Sequence, residues 1–138
     1  MINDYLRTTA AISLFFSVSI LVSCEEKEDF LTKQQRTFLH GRWILFQGSR
    51  NGNPTETLEG VYFQFDSTGK MQTNLPIGAE KTVPCLYKAN EVIQVFSENN
   101  KVAYQIKSVT DSSLILSTFH RGVQLDMQMQ RDTLFKSK

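Results

Sequence analysis

The sequence predicts an all-β domain, an eight-stranded antiparallel up-and-down barrel preceded by one short helix. Three observations predict it. After residue 40, apolar and polar side chains alternate with a period of two, the pattern of strands that bury one face. All seven glycines and all three prolines lie between Gly41 and Gly122, where they divide the chain into short segments. Eight strands joined mainly by tight turns would leave two unpaired edges unless the sheet closes. The alternative is an eight-stranded sandwich. Few long crossing connections are visible in the sequence, so the barrel is favoured.

The length and charge of the chain bound its function. It has 138 residues, the size of one domain, with 15 Lys and Arg, 14 Asp and Glu, and a formal charge of +1. Nucleic-acid binders usually carry a strong basic excess, so no nucleic-acid partner is expected. A hydrophobic content of 41% is close to the globular average and argues against wholesale disorder. We expect the domain to be a monomer.

The first 23 residues have the pattern of an export signal. From Ala10 to Val22 the chain is apolar except for three serines, a run of 13 residues that follows the basic Arg7. A membrane-spanning helix needs roughly 20 residues, whereas a run of this length is typical of a signal-peptide core. We therefore expect residues 1–23 to be removed during export.

The end of this segment carries a second signal. Leu21-Val22-Ser23-Cys24 resembles the lipobox of bacterial lipoproteins. The resemblance implies a diacylglycerol on the Cys24 sulfur, cleavage before Cys24, and a further acyl chain such as palmitate on the new amine. Several acyl chains anchor a protein firmly. The chain would then be an outer-membrane lipoprotein on the periplasmic face or the cell surface. An ordinary signal peptide with a chance cysteine and an uncleaved short anchor are the alternatives.

Residues 24–38 are predicted to be a lipidated acidic linker and a short helix. Four of the five residues from Glu25 to Asp29 are acidic, which resembles the surface-export tag of some lipoproteins and equally fits a solvated spacer. Thr32 and Gln35 have the spacing of a capping box, so we expect the helix to run from about Thr32 to Leu39. Cys85 would remain as the one thiol, and we expect it to be buried and inert.

Eight segments carry the period-two pattern. The last alternates most regularly, with Val123, Leu125, Met127 and Met129 on one face and polar residues on the other. A transmembrane barrel would need an apolar outward face and strands of roughly 9–11 residues, so the pattern excludes one. The predicted strands are residues 42–48, 61–65, 70–74, 82–88, 91–97, 101–109, 114–119 and 123–130. Residues 49–60 are predicted to be a long polar loop, and Pro84 predicts an irregularity in the fourth strand.

One further motif names a family. Gly41-Arg42-Trp43, which enters the first strand after a short helix, resembles the lipocalin signature. The resemblance implies that Trp43 closes the narrow end of the barrel and that Arg131 packs across its indole ring. It is closer to the small lipocalin-like lipoproteins of Gram-negative bacteria, covers roughly residues 39–131, and makes residues 39–138 the barrel domain. The further matching segments are Asn51-Gly52, Phe63-Gln64-Phe65-Asp66, Gly69, Tyr87, Tyr104-Gln105-Ile106 and Leu114-Ile115-Leu116.

The inner face of the barrel is the predicted binding site. Large side chains should point inward and line an apolar pocket, with the hydroxyl of Tyr104 as its polar group. The expected function is reversible, non-catalytic binding of a small apolar or amphipathic molecule, with the 51–60 loop as rim or lid. The alternative is a barrel filled by these side chains, which serves as an interaction module for a protein partner at the cell envelope. The predicted ligand-binding residues are Phe63, Phe65, Tyr104, Leu116, Leu125 and Met127.

Catalytic and metal chemistry are not expected. His40 and His120 are the two histidines of the chain, and metal sites usually gather three or more ligands. The sequence has no phosphate loop, H-E-x-x-H motif or nucleophile elbow. We therefore expect no enzyme activity, no cofactor and no metal.

Overall fold

This computed structural model describes residues 31–135, which contain one helix and nine strands joined by turns and loops. The predicted signal peptide, Cys24 and the acidic tract lie outside these residues and stay predictions. The helix α1 spans Lys33–Leu39. The strands are β1 Gly41–Arg50, β2 Asn53–Thr55, β3 Tyr62–Phe65, β4 Lys70–Thr73, β5 Val83–Lys88, β6 Glu91–Ser97, β7 Asn100–Val109, β8 Ser113–His120 and β9 Val123–Arg131.

The sheet closes on itself. Each strand pairs antiparallel with its neighbour in the order β1-β3-β4-β5-β6-β7-β8-β9, and β9 pairs back onto β1 from Trp43↔Arg131 to Arg50↔Leu125. The short β2 pairs only with the end of β1 and lies outside the closed ring. The predicted fold class, an eight-stranded antiparallel barrel with a short N-terminal helix, is confirmed. The sandwich alternative is excluded because one continuous sheet has no free edge among these eight strands.

The predicted helix begins where its capping box places it. Thr32 is the N-cap: its hydroxyl accepts a hydrogen bond from the Gln35 amide at 3.1 Å, and the Gln35 side chain accepts one from the Thr32 amide at 2.8 Å. These two bonds satisfy backbone donors that the first helical turn leaves unpaired. Within residues 31–135, no helix is long and apolar enough to cross a membrane.

Two local predictions were wrong. The 49–60 segment is not all loop, because Asn51 and Gly52 (φ 49° and 80°) turn the chain into a hairpin that pairs β1 with β2. Asn-Gly is the preferred pair for such a two-residue turn. Pro84 lies in regular register opposite Lys70. Its missing N–H falls on the side of β6, where pairing begins only at Cys85. The register shifts lie elsewhere, between residues 45 and 47, 95 and 97, and 106 and 108.

The two ends of the barrel differ. Helix α1 and the turns 66–69, 89–90 and 110–112 lie at one end, which we call the closed end. The β1–β2 hairpin, the 74–82 segment and the turns at 98–99 and 121–122 lie at the other end, which we call the mouth. Between them, inward side chains form one continuous buried cluster. Cys85 belongs to that cluster, 6% exposed, and burial raises the pKa of its thiol.

Replacing Trp43 by alanine should lower the free energy of unfolding by about 3–5 kcal/mol, because the indole is fully buried and would leave a large cavity. Urea unfolding measures the change. Phe46→Ala is the matched control: that ring is 69% exposed, and its loss should change stability by less than about 0.5 kcal/mol. A loss under about 1 kcal/mol for Trp43→Ala would show that the indole is not a core element.

Candidate functional site

The closed end is held by Trp43 and Arg131, which lie together. The guanidinium carbon of Arg131 is 4.3 Å from the indole centroid, and its nitrogens donate to the backbone oxygens of His40 at 2.7 Å, of Phe38 and of Asp111. Trp43 Nε1 donates to the Leu39 oxygen at 2.9 Å. One cation therefore satisfies carbonyls at the end of α1 and in the β7–β8 turn, and it covers one face of the buried indole ring.

Gly41 is required at this end. Its φ of +119° disfavours other residues, and a Cβ atom there would lie 2.7 Å from Arg131 Nη1. Arg131 thus lies against both Gly41 and Trp43, the two residues of the Gly-x-Trp motif.

The lower and middle parts of the barrel are filled by side chains. The ring of Phe63 packs edge-on against Tyr104, with centroids 5.1 Å apart, and is stacked with Phe65 at 6.2 Å. Leu116 and Met127 have no exposed area. These side chains are buried and belong to one continuous cluster, so they form the core of the barrel.

A polar pair lies inside this core. The Tyr104 hydroxyl donates to Gln94 Oε1 at 2.9 Å, while Gln94 Nε2 finds no hydrogen-bond partner among residues 31–135 although Gln94 is only 1% exposed. Burial raises the pKa of Tyr104. Gln94 is a core residue that the sequence did not predict. Gln94 follows Val92 by two residues and therefore lies on the same face of β6. Glutamine side chains are seldom fully buried, so the residue type did not indicate an interior position.

A pocket opens at the mouth, at the end opposite Trp43. Its volume is about 390 Å³. Six of the ten lining residues are apolar, two are arginines, and the remaining two are a histidine and a threonine. The lining residues are Leu58, Leu75, Pro76, Ile77, Val123, Leu125, Arg50, Arg121, His120 and Thr57. The arrangement, apolar inside with a few polar groups at the edge, is typical of small-molecule sites.

Two segments fold over the mouth and supply most of this apolar lining. Leu58 packs against β1 at Gly48, where a Cβ atom would lie 2.9 Å from Leu58 Cδ1, so only glycine lets the loop approach. Leu75 is 1% exposed beneath the second segment. Asn74 joins the two: its amide donates to the Gly60 oxygen at 3.0 Å and its oxygen accepts from the Tyr62 amide at 2.9 Å.

The second segment is also fastened on the outside of the barrel. The Tyr62 hydroxyl donates to Glu80 Oε1 at 2.7 Å and accepts from Gln72 Nε2 at 2.9 Å. Thr82 donates to Gln72 Oε1 at 2.9 Å, and the Arg42 guanidinium lies 4.1 Å from the Tyr62 ring centroid. Burial and the hydrogen bond to Glu80 raise the pKa of Tyr62. These bonds fix the position of the segment that bears Leu75, Pro76 and Ile77.

Of the six residues proposed from sequence as ligand contacts, Leu125 lines this pocket. The other five (Phe63, Phe65, Tyr104, Leu116 and Met127) lie deeper, in the packed interior. Ligand contact by those five stays a prediction. The loop residues that do line the pocket were missed, because a loop has no periodicity that assigns its apolar side chains to a surface.

The residues that the structure describes bring no metal-ligand cluster together. No group of three His, Cys, Asp or Glu side chains there could hold a metal ion. His120 lines the mouth, whereas His40 lies at the closed end, so the two histidines cannot act on one substrate.

Comparisons with known proteins give little more. The chain matches no model of a known protein family. It matches no curated protein either. A solved structure that the chain resembles is that of a lipocalin-like protein from Bacteroides uniformis, with 18% identity over 69% of this chain and 99% of that chain, at a TM-score of 0.48. The barrel architecture of this chain is established by its own strand pairing.

High pH should destabilise the fold. The folded-state pKa values of Tyr104 and Tyr62 are raised, so the unfolded chain loses these protons first. The stability that comes from keeping these two tyrosines protonated is complete below their unfolded-state pKa of about 10. It falls as the pH rises above that value toward their higher folded-state pKa values. Urea unfolding between pH 8 and 11 measures the decline. Tyr104→Phe should make it shallower by up to about 1.4 kcal/mol per pH unit, and equal slopes in the two proteins would contradict the assignment.

Proposed function

We propose that this chain is an exported, lipid-anchored and non-catalytic barrel of the lipocalin-like kind that reversibly binds one small apolar or amphipathic molecule. The observation that carries the proposal is the pocket at the mouth, on the opposite side of the packed core from Trp43. Its volume of about 390 Å³ lies within the range of ligand sites in proteins.

The chemistry of the pocket supports binding without reaction. Leu58, Leu75, Ile77 and Leu125 offer an apolar surface, and removing such surface from water is the main favourable term in capturing an apolar molecule. The hydroxyl of Thr57, the one hydroxyl of the lining, is hydrogen-bonded to Thr55 at 2.8 Å. Bound molecules would thus be held by contact and released unchanged.

In this proposal the lipid is attached to Cys24. The lipobox-like Leu21-Val22-Ser23-Cys24 supports it. Six residues lie between Cys24 and Leu31, so the seven steps of chain span at most about 25 Å. Leu31 lies at the closed end, where its amide is hydrogen-bonded to the Ala89 oxygen. Anchored in this way, the barrel would present its mouth away from the membrane. A ligand would then enter from the aqueous side.

The first test of the anchor is Cys24→Ala. The variant should move from the membrane fraction to the soluble fraction, because without the thiol no diacylglycerol can be attached. Immunoblotting of fractionated cells measures the distribution, and Cys85→Ala, which removes the buried thiol instead, should stay in the membrane fraction. Membrane retention of Cys24→Ala would refute lipid anchoring at this residue.

The first test of the pocket uses 1-N-phenylnaphthylamine, an uncharged dye whose fluorescence rises in apolar sites. The purified full-length chain should bind it saturably. Ile77→Ser, which removes an apolar contact from the loop over the mouth, should weaken binding by about tenfold, equivalent to about 1.4 kcal/mol. Fluorescence titration measures the dissociation constants.

Phe119→Ser is the matched control for that titration, because this ring is 71% exposed and does not line the pocket. Its affinity should equal that of the unchanged chain. If Phe119→Ser abolished dye binding and Ile77→Ser did not, the dye would be reporting an outer surface, and the pocket would lose its support as a ligand site.

The second candidate function is a protein-interaction module at the cell envelope. Two phenylalanines favour it: Phe46 is 69% exposed at the register shift of β1, and Phe119 is 71% exposed on β8. Aromatic side chains are enriched where proteins contact each other, so these two rings are the candidate contacts. The filled interior is compatible with this role, since docking needs no cavity.

A further inference from the structure

We infer that the mouth selects amphiphiles with one anionic headgroup, bound by Arg50 and Arg121 above the apolar floor of the pocket. The inference rests on the proposed function and names the class of ligand. Among the described residues, those that line this pocket include two arginines and His120, and no aspartate or glutamate. Glu56 and Glu59, from the neighbouring loop, line a separate hollow against the β1–β2 hairpin.

The two arginines have no acidic partner within the part of the chain that the structure describes. The ion pair found there joins Arg42 to Asp132 at 3.6 Å, at the closed end. Arg50 and Arg121 are both exposed. Two guanidinium groups beside an apolar pocket, without a carboxylate to neutralise them, create a positive potential at its entrance.

The backbone fixes both arginines at the same opening. Arg50 ends β1 opposite Leu125, and the next residue, Asn51, is bonded to Gln124 in both directions: its amide donates to the Gln124 oxygen at 2.8 Å, and its side chain accepts from the Gln124 amide at 2.9 Å. These bonds hold the β1–β2 turn beside the β8–β9 turn, which carries Arg121. The guanidinium groups thus flank one entrance from adjacent turns.

Arg121 occupies its turn at a conformational cost. Its φ is +50° and that of Gly122 is +78°, the left-handed region that Asn and Gly tolerate best. The adjacent turn of the same molecule has nearly the same angles at Asn51 and Gly52, 49° and 80°, with the favoured residues. Folding alone would favour asparagine at position 121. Ala89 has a similar φ of 53° in the 89–90 turn, so the role of the Arg121 charge rests on its place in the pocket lining.

A carboxylate, sulfate or phosphate monoester matches this arrangement. Guanidinium groups bind such oxyanions through paired N–H donors, and the bond is stronger than one between neutral groups. An alkyl chain attached to the anion would lie on Leu58, Leu75 and Ile77. A neutral amphiphile would keep the apolar contact of its alkyl chain but lack the ion pair with the arginines. An alkyl ammonium would be repelled by them.

Three ten-carbon probes test the inference: decanoate, 1-decanol and decylamine. Each competes with 1-N-phenylnaphthylamine for the purified full-length chain. Decanoate should displace the dye at a concentration about tenfold lower than decanol, and decylamine should be the weakest competitor. The preference for decanoate should shrink as the salt concentration rises, because salt screens exposed charges.

Arg121→Asn is the decisive variant, since it removes the charge and relieves the strained turn. The advantage of decanoate over decanol should fall to about threefold or less, the affinity for decanol should stay unchanged, and the unfolding midpoint should rise. Lys107→Asn is the control: it removes one exposed positive charge from β7, and the decanoate preference should not change.

The outcomes separate the two proposals. Equal displacement by decanoate and decanol would overturn the anion preference and leave the pocket as a general apolar site. A loss of affinity for both probes in Arg121→Asn would show a structural role for the residue and overturn the inference in the same way. If the dye binds nowhere or ignores Ile77→Ser, the pocket and the anion preference both fail.

Discussion

Arg131 joins four parts of the barrel through one guanidinium group. It lies on the face of Trp43 and donates to backbone oxygens of Phe38, His40 and Asp111, so that the end of α1, the start of β1, the β7–β8 turn and the end of β9 meet at a single cation. The carbonyls at a helix end and in a turn need partners when they are covered, and here one side chain supplies them. With this end fastened and the middle of the barrel filled by side chains, the fold does not depend on the loops at the mouth for closure.

That division leaves the mouth free to carry chemistry that a core would not tolerate. The loops over it are anchored by short polar contacts, Asn74 to Gly60 and Tyr62 to Glu80, and each loop also buries one leucine, Leu58 or Leu75. Within residues 31–135, Arg50 and Arg121 at this end have no acidic partner, whereas Arg42 at the opposite end is paired with Asp132 and Arg131 is bonded to backbone oxygens. Arg50 and Arg121 thus lie exposed at turns carried by the barrel, as is common for binding sites built on rigid scaffolds.

Most of the architecture could be predicted from sequence because the barrel repeats one local rule. Period-two alternation placed all eight barrel strands within two residues of their observed ends, and the Thr32–Gln35 spacing placed the helix start. The pocket could not be predicted in the same way. Its apolar residues belong largely to loops, whose approach depends on tertiary contacts such as Leu58 against Gly48. Gln94 was missed for a related reason, since no local pattern predicts a polar side chain inside a core.

The pairing of β9 with β1 has a consequence for how the chain reaches this structure. The two strands that complete the ring are the first and last of the barrel, so Trp43 finds its partner Arg131 only across almost the whole domain. Neighbouring hairpins form through local contacts. The pairing of β9 with β1 joins segments almost a whole domain apart, so it carries the largest entropy cost of loop closure. Until the end of β9 has been synthesised, β1 keeps an open edge and the indole has no cation above it. The speed of folding should therefore depend on when the two ends of the chain meet, and not on the intrinsic strand propensity of any segment between them.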